Sequence, residues 1–213
     1  MTSTATDHLG RVQVEDLRCT YGRVVAVEST AFEVAPGEHV AILGANGSGK
    51  STLLRSICGL HTETTGSILI DGSIAPPKTA RAICAWIPQR RNPGRFPLLV
   101  SELLQSSSNP QVAMDSASSL GLGTLMGRAV STLSGGQFQR ALLARAIGSL
   151  SGGARVLLAD EPSAALDFEG QAEVARIVRS LEVTAIIATH DRAVAQACDR
   201  RLEMAAGRIR EIA

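Results

Sequence analysis

Short apolar runs alternate along the chain with segments whose apolar residues return every three or four positions. Residues 13–17 and 30–34 alternate as short strands do, and the Ala-Pro-Gly-Glu at 35–38 is a turn. The His-Val-Ala-Ile-Leu run at 39–43 predicts a compact strand that enters a glycine-rich stretch. Beyond it Leu53, Leu54, Ile57 and Leu60 recur at helical spacing, with Gly59 placed to end the helix. Residues 67–70 with Asp71-Gly72 predict a strand and hairpin turn, and 82–87 predicts another strand. The middle differs: 90–94 is turn-rich, 105–110 is mostly Ser and Asn, and 98–104 and 112–122 have helical character. Residues 90–132 are therefore expected to form a small helical insert. A helix returns at 137–150, with Leu142, Leu143, Ile147 and Leu150 on its apolar side. Buried-type strands follow at 156–159 and 184–188, separated by a helix near 171–181. Apolar strands alternating with helices imply an α/β fold whose parallel sheet is covered on both faces.

Charge narrows the function. Twenty-one basic and 20 acidic side chains leave a net charge of +1, which excludes the basic footprint of a non-specific nucleic-acid binder. Aromatics are 3% of the chain, with one Tyr, so aliphatic side chains must build the core. Cys19, Cys58, Cys84 and Cys198 are widely spaced without zinc-type spacing, as expected of reduced thiols in an intracellular protein. Residues 1–10 are polar and do not have the form of a secretion signal. No apolar run approaches the roughly 18–20 residues of a membrane helix.

The chemistry concentrates in three places. Residues 44–52, Gly-Ala-Asn-Gly-Ser-Gly-Lys-Ser-Thr, satisfy Gly-x4-Gly-Lys-[Ser/Thr] between a strand and a helix. Here Gly44, Asn46, Gly47, Ser48 and Gly49 let the backbone curl its N–H groups toward phosphate oxygens. Lys50 can reach the β- and γ-phosphates, Ser51 can ligate Mg²⁺, and Thr52 continues the helix whose N-terminus favours the anion. The apolar strand at 156–159 ends in Asp160 and Glu161. Following such a loop, an Asp holds Mg²⁺, and a second carboxylate aimed elsewhere can polarise the attacking water. Finally, the Leu-Ser-Gly-Gly-Gln at 133–137 opens a helix and forms a second anion site through Ser134, Gly135, Gly136 and Gln137.

With these motifs in order, joined by Tyr21, Gln89, Ala164-Ala-Leu-Asp167 and His190, the sequence resembles the nucleotide-binding domain of ATP-binding cassette (ABC) transporters over nearly its whole length. The resemblance implies a P-loop NTPase core with a mostly parallel sheet, an N-terminal antiparallel β subdomain and a small helical subdomain. It divides one ATPase domain, 1–213, into a β subdomain and phosphate-loop core (1–89), a short helical subdomain (90–132), and the signature helix with the rest of the core (133–213). It implies that Tyr21 stacks on adenine, that Gln89 touches Mg²⁺ and the attacking water, and that His190 hydrogen-bonds the γ-phosphate. Glu161, His190, Lys50 and Gln89 become the catalytic set, and Ser51, Gln89 and Asp160 the metal set. Ser134, Gly135, Gly136, Gln137 and Asp167 would act in trans, in a head-to-tail dimer with a second copy or a related cassette closed over two ATP molecules.

The family further implies integral membrane permease subunits as partners, a solute-binding protein in importers, and a cytoplasmic location peripheral to the inner face of the cell membrane. The segments Ile87-Pro-Gln-Arg90, Phe96-Pro97 and the signature through Arg140 are similar to cassettes of zinc or manganese importers. The stretch between Gln89 and Leu133 is short for that group. Two other readings stay open at this level: a soluble cassette ATPase of cofactor assembly or another non-transport role, and a non-enzymatic adaptor that docks on membrane proteins.

Overall fold

The computed structural model describes residues 10–89 and 97–212. The polar stretch 1–9 and the turn-rich segment 90–94, with Arg90 and Phe96, lie outside the described residues. In chain order the structure has strands β1 (Val12–Tyr21), β2 (Val24–Val34) and β3 (His39–Leu43), helix α1 (Lys50–Ile57), strands β4 (Thr64–Ile70) and β5 (Ser73–Ile74), helix α2 (Pro77–Ile83) and strand β6 (Cys84–Ile87). Helices α3 (Val100–Gln105), α4 (Pro110–Ser119) and α5 (Gly135–Ser151) follow. The chain then runs through β7 (Val156–Asp160), α6 (Phe168–Ser180), β8 (Thr184–Ala188), α7 (Arg192–Ala197), β9 (Arg200–Ala205) and β10 (Arg208–Glu211).

Two sheets result. An antiparallel sheet runs β2-β1-β4-β5, and a six-stranded sheet runs β10-β9-β3-β8-β7-β6, parallel throughout except for the β10–β9 edge pair. This is the α/β arrangement expected of a P-loop NTPase with an antiparallel N-terminal part. Strands β7 and β8 are buried along their whole length, which is why they read as unbroken apolar runs. Their pleat sends alternate residues to opposite faces. Leu157, Ala159, Ala185 and Ile187 join a cluster with Leu142 and Leu143 of α5, Leu104 of α3 and Ala113 of α4. Val156, Leu158, Ile186 and Ala188 join another with Leu53, Leu54 and Ile57 of α1 and with Val12, Val14 and Leu17 of the antiparallel sheet. The helices between residues 97 and 132 thus share one core with α5 and the sheet.

Helix α1 stops where expected. Gly59 sits at φ 68°, its N–H donates to Ser56 O (2.9 Å), and the Leu60 N–H donates to Arg55 O (2.7 Å). That pair of bonds is a Schellman closure, which requires a left-handed residue after the cap. Helix α5 opens with a reciprocal cap: Ser134 Oγ accepts from Gln137 N (3.2 Å), and Gln137 Oε1 accepts from Ser134 N (3.0 Å).

Some elements differ from expectation. Strand β1 runs on to Tyr21 because a bulge near Asp16, at φ 45°, shifts the buried series from Val12 and Val14 to Leu17 and Cys19. The strand expected at 82–87 begins only at Cys84, since Ile83 still ends α2. Strands β5, β9 and β10 and helix α7 add elements not foreseen. Cys19, Cys58 and Cys84 are buried, Cys198 is half-buried, and all four are free thiols. Among the described residues no helix is long and apolar enough to cross a membrane.

Candidate functional site

Parallel pairing places the carboxyl ends of four strands level. Ile42 of β3 lies opposite Ala188 of β8, Ala188 opposite Asp160 of β7, and Ala159 opposite Ile87 of β6. The loops leaving those ends converge, as is usual for ligand sites in open α/β sheets. They border a cleft of about 1070 Å³ lined by Asn46, Gly47, Ser48, Gly49, Lys50, Ser51, Thr52, Gln89, Asp160 and Glu161. Residues 46–52, Gln89, Asp160 and Glu161 therefore share one cavity, whereas Gly44 and His190 are not among its lining.

Loop 44–49 joins β3 to α1 and bends tightly enough to require glycine. Gly49 has φ 109°, and a Cβ there would stand 2.3 Å from Ala26 O. The Ser48 carbonyl accepts from Gly207 N (3.0 Å), tying the loop to the β9–β10 turn. Lys50 is buried; its Nζ donates to Gly44 O (2.7 Å) and Ala45 O (3.0 Å), so the ammonium is held over the loop. Ser48 Oγ is buried without a hydrogen-bond partner.

Asp160 is 3% exposed. Burial pushes its carboxyl above the ordinary value, with Glu161 adding to the rise, while a hydrogen bond from Ser51 and the charges of Lys50 and Arg55 oppose it. Its Oδ1 has no hydrogen-bond partner. A buried, unpartnered carboxylate oxygen beside a serine hydroxyl is a hard oxygen donor set, and it fits Mg²⁺, which prefers oxygen ligands and retains water.

Glu161 also is 3% exposed and holds φ 54°, a conformation that costs a non-glycine residue of order 1 kcal/mol. Its N–H donates to Ala188 O (2.8 Å), and the bend turns its side chain away from the direction a continuing strand would give it. Its Oε2 accepts from His190 Nδ1 (2.8 Å) and from the His190 backbone N (3.3 Å). The His190 side chain is 72% exposed. Behind Glu161, Gln139 Nε2 donates to its carbonyl (3.4 Å). Below His190, Asp191 Oδ2 accepts from Ser163 Oγ (2.7 Å), joining the loops after β7 and β8.

Other expected residues lie outside the cleft lining. Tyr21 ends β1, is 47% exposed, and packs its ring against His61. Ser134, Gly135, Gly136 and Gln137 open α5; a Cβ on Gly135 would stand 2.8 Å from Ala165 Cβ, and one on Gly136 3.1 Å from Leu166 Cδ2. Asp167 caps α6, its Oδ1 accepting from Gly170 N (3.0 Å). The signature and the 164–167 loop therefore pack side by side as one surface that does not line the chain's own cleft.

Sequence reasoning missed Arg55, Trp86 and Arg145, which line the cleft. Arg145 Nη2 donates to Trp86 O (2.6 Å), and burial lowers its guanidinium from the ordinary value. The available signal was a lone arginine on the side of α5 that otherwise carries apolar residues.

Comparison with known proteins agrees with this geometry. The sequence profile of the family described as "ABC transporter" matches residues 27–164. The chain is 34% identical to the phosphonates import ATP-binding protein PhnC 1 of Cupriavidus metallidurans, over 86% of this chain and 75% of that protein. It is 36% identical to the macrolide export ATP-binding/permease protein MacB of Agrobacterium fabrum, over 86% of this chain but only 31% of that protein. In fold it is similar to a dimeric, post-hydrolysis structure of the ATP-binding cassette MJ0796 bound to ADP and Pi. That match has a TM-score of 0.80 at 24% identity and covers 95% of this chain and 99% of that one.

Proposed function

The chain belongs to the ABC transporter family and is an ABC-type ATPase; from that premise we propose that it powers a multi-subunit transporter by closing head to tail with a second cassette over two ATP molecules. The observation that carries the proposal is the single cleft that gathers the phosphate-loop residues, buried Lys50, Asp160 with its unpartnered oxygen, and Glu161. Asn46 to Thr52 cradle the triphosphate through backbone amides and the N-terminus of α1, and Lys50 exchanges its loop carbonyls for phosphate oxygens. Ser51, Gln89 and Asp160 would hold Mg²⁺, which when bound neutralises charge on the phosphate oxygens. Tyr21 supplies the adenine platform.

Glu161 orients the attacking water and takes its proton. His190 already donates Nδ1–H to Glu161, so a second hydrogen bond from Nε2 to the γ-phosphate requires the imidazolium form. The surface formed by Ser134, Gly135, Gly136, Gln137 and Asp167 completes the site of the opposite subunit, which accounts for its position away from the chain's own cleft. Closure then depends on the γ-phosphate, and hydrolysis reopens the pair.

The partners proposed are permease subunits, docked on the helical part between residues 90 and 132 at the inner face of the cell membrane, with a solute-binding protein where the system imports. The relatives named above differ in both cargo and direction. Metal-cation import therefore rests on the motifs around Gln89 and the signature. The test is co-expression with the permease encoded beside this chain, followed by membrane isolation and Mg²⁺-dependent ATPase assay. Co-purification with a membrane subunit that stimulates hydrolysis is the expected result. Active ATPase that never associates with membranes would assign the chain to a non-transport cassette role instead.

A further inference from the structure

The purine platform proposed above has a support built from the segment that leaves α1, and we propose that His61 is the positioning residue for the Tyr21 ring. This rests on the reading of Tyr21 as that platform. The Schellman closure at Gly59 fixes the direction in which the chain leaves the phosphate-binding helix. Two residues, His61 and Glu63, then brace the backbone on both sides of Tyr21 in sequence. His61 Nε2 donates to Thr20 O (2.9 Å), Thr20 N donates to Glu63 O (3.0 Å), and Glu63 Oε2 accepts from Gly22 N (2.7 Å) and Thr20 Oγ1 (3.3 Å). The residues before and after Tyr21 are thus fixed by one short segment.

The rings meet as well. Tyr21 and His61 have centroids 4.6 Å apart and planes tilted by 53°. His61 is 9% exposed whereas Tyr21 is 47% exposed, so the imidazole is the fixed member and the phenol the one with free surface. The hydrogen bond to Thr20 O sets the imidazole orientation, and the imidazole in turn limits how the phenol can rotate. An exposed aromatic that is already held still loses less freedom when a base stacks on it, which favours binding without adding a contact to the ligand. One helix of eight residues consequently governs both ends of the nucleotide: its first turn faces the phosphates, and its exit holds the platform.

The experiment compares the affinities of the full chain for ATP and for inorganic tripolyphosphate, which has no base. The variants are Tyr21→Ala, His61→Asn, His61→Phe and the Tyr21→Ala/His61→Asn pair. His61→Asn removes the ring contact and should weaken ATP about 3- to 10-fold, the range of an aromatic pair, with tripolyphosphate unchanged. His61→Phe keeps a ring against Tyr21 and should recover most of the ATP affinity. The double variant should bind ATP no more weakly than Tyr21→Ala alone. If His61→Asn fails to give a folded melting transition, His61→Gln is read in the same way. The proposal is overturned if the amide variant keeps full ATP affinity while Tyr21→Ala loses it, or if it weakens tripolyphosphate as much as ATP. If Tyr21→Ala itself leaves the ratio of the two affinities unchanged, the platform reading fails first.

Discussion

Replacing Glu161 with Gln separates chemistry from structure at this site. The amide is isosteric with the carboxylate, and the strained φ of 54° is a property of the position, so both proteins carry the same backbone cost. What changes is the group's ability to take a proton and its charge toward His190. The second effect is modest for stability: Glu161 is buried, but its partner His190 is 72% exposed, so water screens the pair and it contributes about 1 kcal/mol. For a chain of this size that corresponds to a melting shift of about 2–4 °C. The first effect is large. Loss of a positioned general base lowers turnover by about 10²–10⁴, equivalent to roughly 3–5 kcal/mol of barrier. Phosphate release under saturating ATP and Mg²⁺ should therefore fall by at least two decades while ATP affinity stays near that of the parent. Sedimentation of the variant with ATP should show a persistent dimer, because the closed state is no longer discharged. Turnover within fivefold of the parent, in a variant that melts normally, would refute Glu161 as the base.

Four further outcomes are expected. Lys50→Ala should weaken ATP about 10- to 100-fold by titration calorimetry, the range for a charged hydrogen-bond donor to phosphate; unchanged affinity would remove it from the site. Gly49→Ala places a Cβ 2.3 Å from Ala26 O at φ 109°, and should lower the melting temperature by more than the few degrees that about 1 kcal/mol represents. Ser134→Ala should cost about 1 kcal/mol of stability through the lost cap, leave ATP binding to the separate subunit intact, and depress hydrolysis out of proportion. Normal hydrolysis by that variant would count against a role in trans. The Cys198 thiol is pushed up to about 12, chiefly by burial and then by Asp199, so it stays protonated until the pH approaches that value. At pH 8 iodoacetamide should label it about 10³-fold more slowly than an ordinary thiol, by mass spectrometry of the intact fold.

What was legible in the sequence was what is encoded locally. The loop at 44–52 is legible because its glycines, lysine and hydroxyls must be consecutive in the chain to act together. The ends of β7 and β8 are legible because a parallel strand buried on both faces admits polar residues only where it stops. Strand β1 was truncated because strict alternation fails at the Asp16 bulge: Val14 and Leu17 are both buried, three positions apart. In 82–87 an apolar run contains the end of one helix and the start of a strand, and periodicity over six residues cannot divide them. Strand β9 alternates correctly, with Leu202 and Met204 inward, yet its charged neighbours mask a run only six residues long.

The same distinction divides the site. Arg145 on α5 borders the cleft with its guanidinium bonded to Trp86 O of β6, a tertiary contact whose one mark on the helix pattern is an arginine among apolar neighbours. The His61 support for Tyr21 is of this kind too: its partner is 40 positions upstream, and only the pairing of β1 with β4 brings them together. The signature shows the opposite limit. Its residue types were recognisable at once, but they pack against the 164–167 loop and do not line the cleft of the chain that carries them. Residues 133–137 do not line the cleft of their own chain although Ser131 and Phe138 beside them do, and the proposed head-to-tail pairing gives them the cleft of a second cassette to complete.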